Sequence, residues 1–193
     1  MRICVFGAAS PTIEQAYIEK VERLGAELVQ RGHSLVFGGG ANGLMGATAR
    51  GVRSQGGYIL GIVPEFFEDE SIEHLYHECD KLIETKTMRE RKQLMEDNAD
   101  AFIIVPGGIG TFEEFFEILT LKQLCRHDKP IAIYNILGYY DEILLALEAA
   151  TQKGFIRGGC KELLFVSEDL SELFTYVETP NTTKRTVKEL KDG

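Results

Sequence analysis

Positive charge is what this sequence is short of. Against 30 Asp and Glu it carries 21 Lys and Arg, a formal net charge of −9 over 193 residues. A nucleic-acid polymer needs a basic footprint along its phosphates, so that class of partner is disfavoured. A small anionic ligand is still admissible, in a pocket that is positive locally. Long hydrophobic runs are also missing: none approaches the roughly 20 apolar residues of a membrane span. The first apolar run, Ile3-Cys-Val-Phe6, starts at once and leaves no room for a secretory leader, so a cytoplasmic protein with no membrane partner is expected. The four cysteines, Cys4, Cys79, Cys125 and Cys160, stand far apart with no Cys-x-x-Cys pair. That argues against a zinc site or a disulfide framework and for buried thiols. There is no internal repeat, linker or low-complexity segment.

What is present alternates. Apolar runs at Ile3–Phe6, Ser34–Phe37, Tyr58–Val63, Lys81–Glu84, Ala101–Val105, Ile131–Tyr134 and Leu163–Val166 read as strands. Between them lie helical periods: from Pro11 to Gly32, through Arg53, Thr87–Asn98, the stretch after Gly110 to about Arg126, Tyr139–Lys153, and Leu170–Val177. Strands alternating with helices of ten or more residues predict an α/β fold: one Rossmann-like, doubly wound parallel sheet with helices on both faces. A single domain over 1–178 is expected, with 179–193 a loose tail lacking apolar periodicity. In such sheets ligands bind beyond the carboxyl ends of the strands.

The central stretch is Asp100-Ala-Phe-Ile-Ile-Val-Pro-Gly-Gly-Ile-Gly-Thr-Phe-Glu-Glu114, a strand that breaks at Pro106, passes three glycines and opens into a helix. Backbone N–H groups and the helix dipole make that junction a phosphate cradle. Thr111-x-x-Glu114 has the spacing of a capping box, which would account for both residues without catalysis; a catalytic role for Glu114 is equally open. Glu113, Glu117 and Thr120 form a separate polar stripe, ordinarily a solvated face.

Thr87-x-x-Glu90 is a second capping box, and Met88, Arg91, Lys92 and Met95 fall on one face of the helix that follows. Two cations beside methionines either snorkel to water or reach into the crevice to hold an anion; the second reading is preferred. Gly38-x-Gly40-x-x-Gly43, with Glu65 after the next strand, fits the dinucleotide pattern. It follows the second strand rather than the first, however, and no separate substrate domain is present. A tight turn of small residues explains it better. His74 and His77 sit three apart in an acidic 65–80 segment without a third ligand of suitable spacing, so a solvated loop or lid is favoured over a metal site. His33 and His127 read as turn residues beside Gly32 and Asp128.

These residues carry a family resemblance. Pro106-Gly-Gly-Ile-Gly-Thr-Phe-Glu-Glu114 resembles the PGGxGTxxE motif of the LONELY GUY (LOG) family, cytokinin riboside 5′-monophosphate phosphoribohydrolases. Met88-Arg-Glu-Arg-Lys92 resembles its MxxRK element, Gly38-Gly-Gly-Ala-Asn-Gly-Leu-Met-Gly46 its GGGxxGLMG loop, and Gly61-Ile-Val-Pro64 its GVIP turn. His127-Asp-Lys-Pro130 and Gly138-Tyr-Tyr-Asp141 are similar too, and the likeness runs from Ile3 to about Val177. Two departures stand out: the first loop, Gly7-Ala-Ala-Ser10, differs from the usual CGSS-like form, and the segment between Pro64 and Met88 is slightly longer.

The resemblance implies a homodimer that hydrolyses the N-glycosidic bond of a nucleoside 5′-monophosphate, releasing a purine base and ribose 5-phosphate. By position it makes Arg91 and Glu114 the catalytic pair. It assigns substrate binding to Gly40, Met88, Lys92, Gly107, Gly108, Ile109, Gly110, Thr111, Phe112, Glu113 and Thr120. Neither a metal nor an organic cofactor is implied. The label "lysine decarboxylase", often attached to the family, is discounted because no lysine has a recognisable pyridoxal phosphate context. The alternative of another class is a non-catalytic nucleotide-binding module like the carriers of molybdenum cofactor.

Overall fold

Each apolar run bounded by Gly or Pro forms a strand. The computed structural model describes residues 1–69, 74–156 and 158–180. In chain order the elements are β1 (Arg2–Phe6), α1 (Gln15–Gln30), β2 (Ser34–Phe37), α2 (Gly43–Ser54), β3 (Ile59–Pro64) and the single turn α3 (Phe66–Asp69). There follow β4 (Lys81–Thr85), α4 (Met88–Asn98), β5 (Ala101–Ile104), α5 (Ile109–Gln123), β6 (Ile131–Tyr134), α6 (Asp141–Gln152), β7 (Phe165–Ser167) and α7 (Leu170–Glu178). The expected α/β architecture is the one found. The tail expected to be loose falls, from residue 181, outside the described residues, as do residues 70–73 of the acidic segment.

All strand pairs are parallel, in the order β4-β3-β2-β1-β5-β6-β7. The chain winds outward from β1 to β4, then crosses to β5 on the other side of β1. The winding direction therefore reverses between β1 and β5, and the loops leaving those two strands diverge there into a crevice. The pairing of Phe6 with Ile104 brings both loops out at the same level.

Alternate strand residues face opposite layers. Ile3, Val5, Leu35 and Phe37 pack against Val21, Leu24 and Leu28 of α1, Leu44 and Ala47 of α2, and Leu173 and Phe174 of α7. Cys4, Phe6, Val36 and Phe102 pack against Met95 of α4 and Phe115 and Ile118 of α5 on the other face. Each such side chain contributes about 1.5–3 kcal/mol when wholly buried. Strands covered on both sides account for the nearly unbroken apolar runs in the sequence.

Three helix starts differ from the sequence expectation. α1 begins at Gln15, not at Pro11, because residues 7–14 are used elsewhere: the Ala8 carbonyl accepts the N–H groups of Leu44 (2.8 Å) and Met45 (3.2 Å), closing the N-terminus of α2. Gly43 permits this approach; its φ is +56°, and a Cβ there would lie 2.6 Å from the Ala8 carbonyl oxygen. α5 begins at Ile109, with Gly108 as its N-cap and no side-chain cap. The capping box read at Thr111 and Glu114 is therefore incorrect, since both lie inside the helix. α6 begins at Asp141, after a 3₁₀ turn at Ile136–Gly138. At Thr87 half of the box forms as read: Thr87 Oγ1 accepts the Glu90 N–H at 3.1 Å, while the Glu90 carboxylate reaches past the N-cap to accept the Lys86 N–H at 3.0 Å.

Candidate active site

The site is built on the junction of β5 with α5. Val105 and Pro106 end the strand, Gly107 and Gly108 turn the chain, and the first helical hydrogen bond runs from the Phe112 N–H to the Gly108 carbonyl at 3.0 Å. The N–H groups of Ile109, Gly110 and Thr111 precede that bond and have no carbonyl within the helix to reach. Gly108, Ile109 and Gly110 are all exposed, Ile109 by 82%, so this helix end opens to solvent. Thr111 is buried and folds back on the turn: a Cβ at Gly107 would lie 2.1 Å from its Oγ1. Around Gly108 and Gly110 there is open space. Donors, a positive dipole end and free volume coincide, the requirements for holding a phosphate.

Beside this mouth, α5 meets α4. Arg91 is 7% exposed and spends its guanidinium on three acceptors. Its Nε donates to the Ile62 carbonyl at 3.1 Å, Nη2 to the Gly38 carbonyl at 3.4 Å and Nη1 to Glu114 Oε1 at 3.0 Å. Its Cζ also lies 5.6 Å from the centre of the Phe67 ring. Gly38 is small for this reason, since a Cβ there would stand 1.9 Å from Arg91 Nη2. The glycine pattern at residues 38–43 thus seats an arginine. Gly40 is buried and bridged to Leu75, while Ala41 donates to the His74 carbonyl at 2.7 Å and Tyr76 to the Gly39 carbonyl at 2.8 Å. Glu65 lies exposed past β3.

Burial pushes the Glu114 carboxyl up from its ordinary 4.5 to about 7; Arg91 opposes that rise and the charge of Glu113 adds to it. A carboxyl held near neutrality beside a fixed cation suits proton transfer or charge stabilisation at physiological pH. Lys92, one residue after Arg91, bonds to Glu113 and, at 2.8 Å, to Glu117 of α5. Burial lowers its affinity for a proton, and the two carboxylates more than reverse this, leaving it raised. The stripe of Glu113 and Glu117 is half solvated, as its spacing suggests, and also seats Lys92. Arg91 and Lys92 both point inward from α4, as preferred from the sequence. Met88 stands half-exposed at the first turn of α4, Phe112 is half-buried, and Thr120 is exposed with its hydroxyl donating to the Phe116 carbonyl at 2.7 Å.

A cleft of about 260 Å³ adjoins the glycine turn on the α1 side, between Ala8, Tyr17, Pro106, Gly108 and Tyr139. Its far wall comes from a segment to which sequence reasoning assigned no role. Tyr139 donates its hydroxyl to the Gly107 carbonyl at 2.7 Å, and the buried Tyr140 donates to the Val105 carbonyl at 2.8 Å. The one signal for them in the sequence is the Gly138-Tyr-Tyr-Asp141 string. Among the described residues no group of three His, Cys, Asp or Glu side chains is placed to hold a metal ion, and no helix is long and apolar enough to cross a membrane.

The chain is similar to known proteins. A family model described as "Possible lysine decarboxylase" matches residues 45–177. Over 177 residues the chain is 36% identical to the cytokinin riboside 5′-monophosphate phosphoribohydrolase LOG2 of Arabidopsis thaliana, covering 92% of this chain and 82% of that protein. A cytokinin riboside 5′-monophosphate phosphoribohydrolase of Mycobacterium tuberculosis is 38% identical over 170 residues, covering 88% of this chain and 89% of that one. Among solved structures, the molybdenum cofactor binding protein of Rippkaea orientalis matches with a TM-score of 0.68 at 19% identity, covering 92% of this chain and 97% of that one. At that identity the likeness is one of fold.

Proposed function

The chain belongs to the LONELY GUY family of cytokinin riboside 5′-monophosphate phosphoribohydrolases, and from that premise we propose that it hydrolyses the N-glycosidic bond of a purine riboside 5′-monophosphate, of the cytokinin type or AMP itself. The products are the free base and ribose 5-phosphate. The observation that carries this reading is the buried Arg91–Glu114 pair, set one helical turn and a half inside the open N-terminus of α5.

Cleavage of the bond passes through an oxocarbenium-like state, with positive charge growing on the ribose. Glu114 supplies the negative charge that this state needs and takes the proton of the attacking water, which gives its hydroxyl to C1′ as the C1′–N bond breaks; that proton then passes to the departing base, leaving Glu114 ionised again. Arg91 keeps the carboxylate in place and ionised. The N–H groups from Gly107 to Thr111 hold the 5′-phosphate, each charge-assisted contact contributing about 1.5–3 kcal/mol. Glu113 and Lys92 flank the ribose and phosphate, with Met88, Phe112 and Thr120 lining the approach and Gly40 supporting it from the β2 side. No step calls on a cofactor. The net charge of −9 offers no footprint for a nucleic-acid polymer.

The protein acts in the cytoplasm as a homodimer. Phe116, Leu124 and Leu145 are exposed on α5, just after it and on α6, and α6 buries none of its residues fully within the chain. A second copy covers this surface. Light scattering is expected to return twice the chain mass, and a monomer at micromolar concentration overturns this part of the reading.

The function is tested by incubating the protein with AMP and with isopentenyladenosine monophosphate and resolving the products by chromatography. Free base accumulates if the reading is right. Nucleotide binding without base release, which a carrier module would show, contradicts it.

A further inference from the structure

The segment Asn135–Asp141 is a turn held rigid by its own contacts. Leu137 and Gly138 are left-handed, with φ of +54° and +71°. The Asn135 side chain accepts the Tyr140 N–H at 2.7 Å and donates to Asp141 Oδ1 at 2.8 Å. From this turn two adjacent tyrosines reach the β5–α5 loop. Tyr140, fully buried, takes the Val105 carbonyl; Tyr139, 39% exposed on the cleft, takes the Gly107 carbonyl. The carbonyl between them, that of Pro106, accepts the Ala8 N–H at 3.0 Å. Three successive carbonyls are thus each held by a donor from outside the loop.

In a trans peptide the N–H points opposite to the carbonyl of the same unit. Holding the Gly107 carbonyl therefore aims the Gly108 N–H away from Tyr139, and holding the Pro106 carbonyl aims the Gly107 N–H in the same manner. Two successive glycines would otherwise be free to rotate these peptides, because neither carries a Cβ. The Val105 carbonyl differs: its peptide unit ends in Pro106, which has no N–H to aim. The two tyrosines make the same type of bond with different consequences. Tyr140 closes the end of a strand, whereas Tyr139 orients a donor.

We propose that Tyr139 is a positioning residue for phosphate: its hydroxyl fixes the Gly107–Gly108 peptide so that the Gly108 N–H is presented to a phosphomonoester at the mouth of α5. That the phosphomonoester is the 5′-phosphate of a nucleotide rests on the function proposed above. Tyr139 touches neither the ribose nor the base in this scheme.

Tyr139→Phe and Tyr140→Phe keep both rings and remove one hydroxyl each. Calorimetric titration with inorganic phosphate and with ribose 5-phosphate is expected to show about tenfold weaker binding by Tyr139→Phe, from the loss of one preorganising hydrogen bond. Free adenine binds it as before, and its melting temperature stays within about 2 °C of the parent. Tyr140→Phe is expected to do the reverse, melting about 3–6 °C lower with phosphate affinity unchanged. With AMP as substrate, Tyr139→Phe raises KM and leaves kcat nearly intact, while turnover of unphosphorylated adenosine does not change. Parent-like phosphate affinity in Tyr139→Phe, or equal losses for phosphate and adenine, overturns the assignment. If the parent protein releases no base from any nucleotide, the hydrolase reading falls, and the phosphate titration still decides the role of Tyr139.

Discussion

Arg91 Nη1 stands 3.0 Å from Glu114 Oε1, with 9% and 11% of the two side chains exposed. A buried ion pair is a poor device for stability, because withdrawing both charges from water costs about as much as their attraction returns. This one is moreover built with care. The residue just after β2 is a glycine that makes room for the guanidinium, β3 contributes a carbonyl, and α4 is capped by Thr87 just one turn before Arg91. Such an arrangement is expected where a charge must be held ready beside a ligand.

Glu114→Gln removes the charge and keeps the shape and the amide oxygen for Arg91 Nη1. Base release is expected to fall by roughly 10²–10⁴-fold in kcat. KM should change little, and near pH 5, where Glu114 is largely neutral, the melting temperature should stay within a few degrees of the parent, since Glu114 caps nothing. Glu114→Ala strands the guanidinium without its carboxylate and is expected to cost about 3 kcal/mol in a urea melt.

The activity should depend on pH through Glu114. Its carboxyl, raised from 4.5 to about 7 by burial, must be ionised to act, so kcat/KM is expected to rise with pH to a plateau, with a midpoint near 7. Stability runs the other way. A group whose folded value is raised contributes stability below its unfolded value and loses that contribution as pH climbs through the folded one. As pH climbs from 4.5 to about 7 the parent should therefore lose about 3 kcal/mol relative to Glu114→Gln, with no further loss above that range. Arg91→Met should move the activity midpoint to higher pH as well as slowing the reaction; an unmoved midpoint assigns the titration to another group.

Gly38→Ala tests the seat of the arginine without substituting either member of the pair. The new methyl group would lie 1.9 Å from Arg91 Nη2, so the guanidinium must shift. Overpacking of this type costs about 1–3 kcal/mol. The variant should fold, melt lower and lose base release nearly as Arg91→Met does. Full activity in Gly38→Ala would show that the guanidinium position is not critical.

Lys92 is expected to act on substrate affinity. In Lys92→Met the carboxylates of Glu113 and Glu117 lose the cation that now bridges them. KM for AMP should rise about tenfold, the scale of one lost charge-assisted contact. The pH midpoint should also drift upward, because Lys92 helps to keep Glu114 ionised.

Much of this was legible in the chain. Apolar runs closed by Gly or Pro marked the strands, and helical spacing placed Arg91, Lys92 and Met95 on one face of α4. The order of the strands was not legible, because periodicity says which residues are buried and not which strand lies beside which. Thr111-x-x-Glu114 has capping-box spacing, yet three glycines precede it and any of several residues could start the helix; Gly108 does so, leaving Glu114 free to meet Arg91. Pro11 suits a helix start, but the loop around it is committed to closing α2. Tyr139 and Tyr140 act on carbonyls 32 and 35 residues away, a distance over which local pattern carries no information.

The most direct measurement of the central claim follows one reaction of the parent and of Glu114→Gln with AMP, counting free adenine by chromatography and the sugar product by mass spectrometry. The parent is expected to yield adenine and ribose 5-phosphate in equal amounts, the sugar gaining oxygen from ¹⁸O-labelled water, and Glu114→Gln is expected to bind AMP and yield almost none. No adenine from the parent with AMP or any cytokinin nucleotide, or undiminished release by Glu114→Gln, would contradict the account.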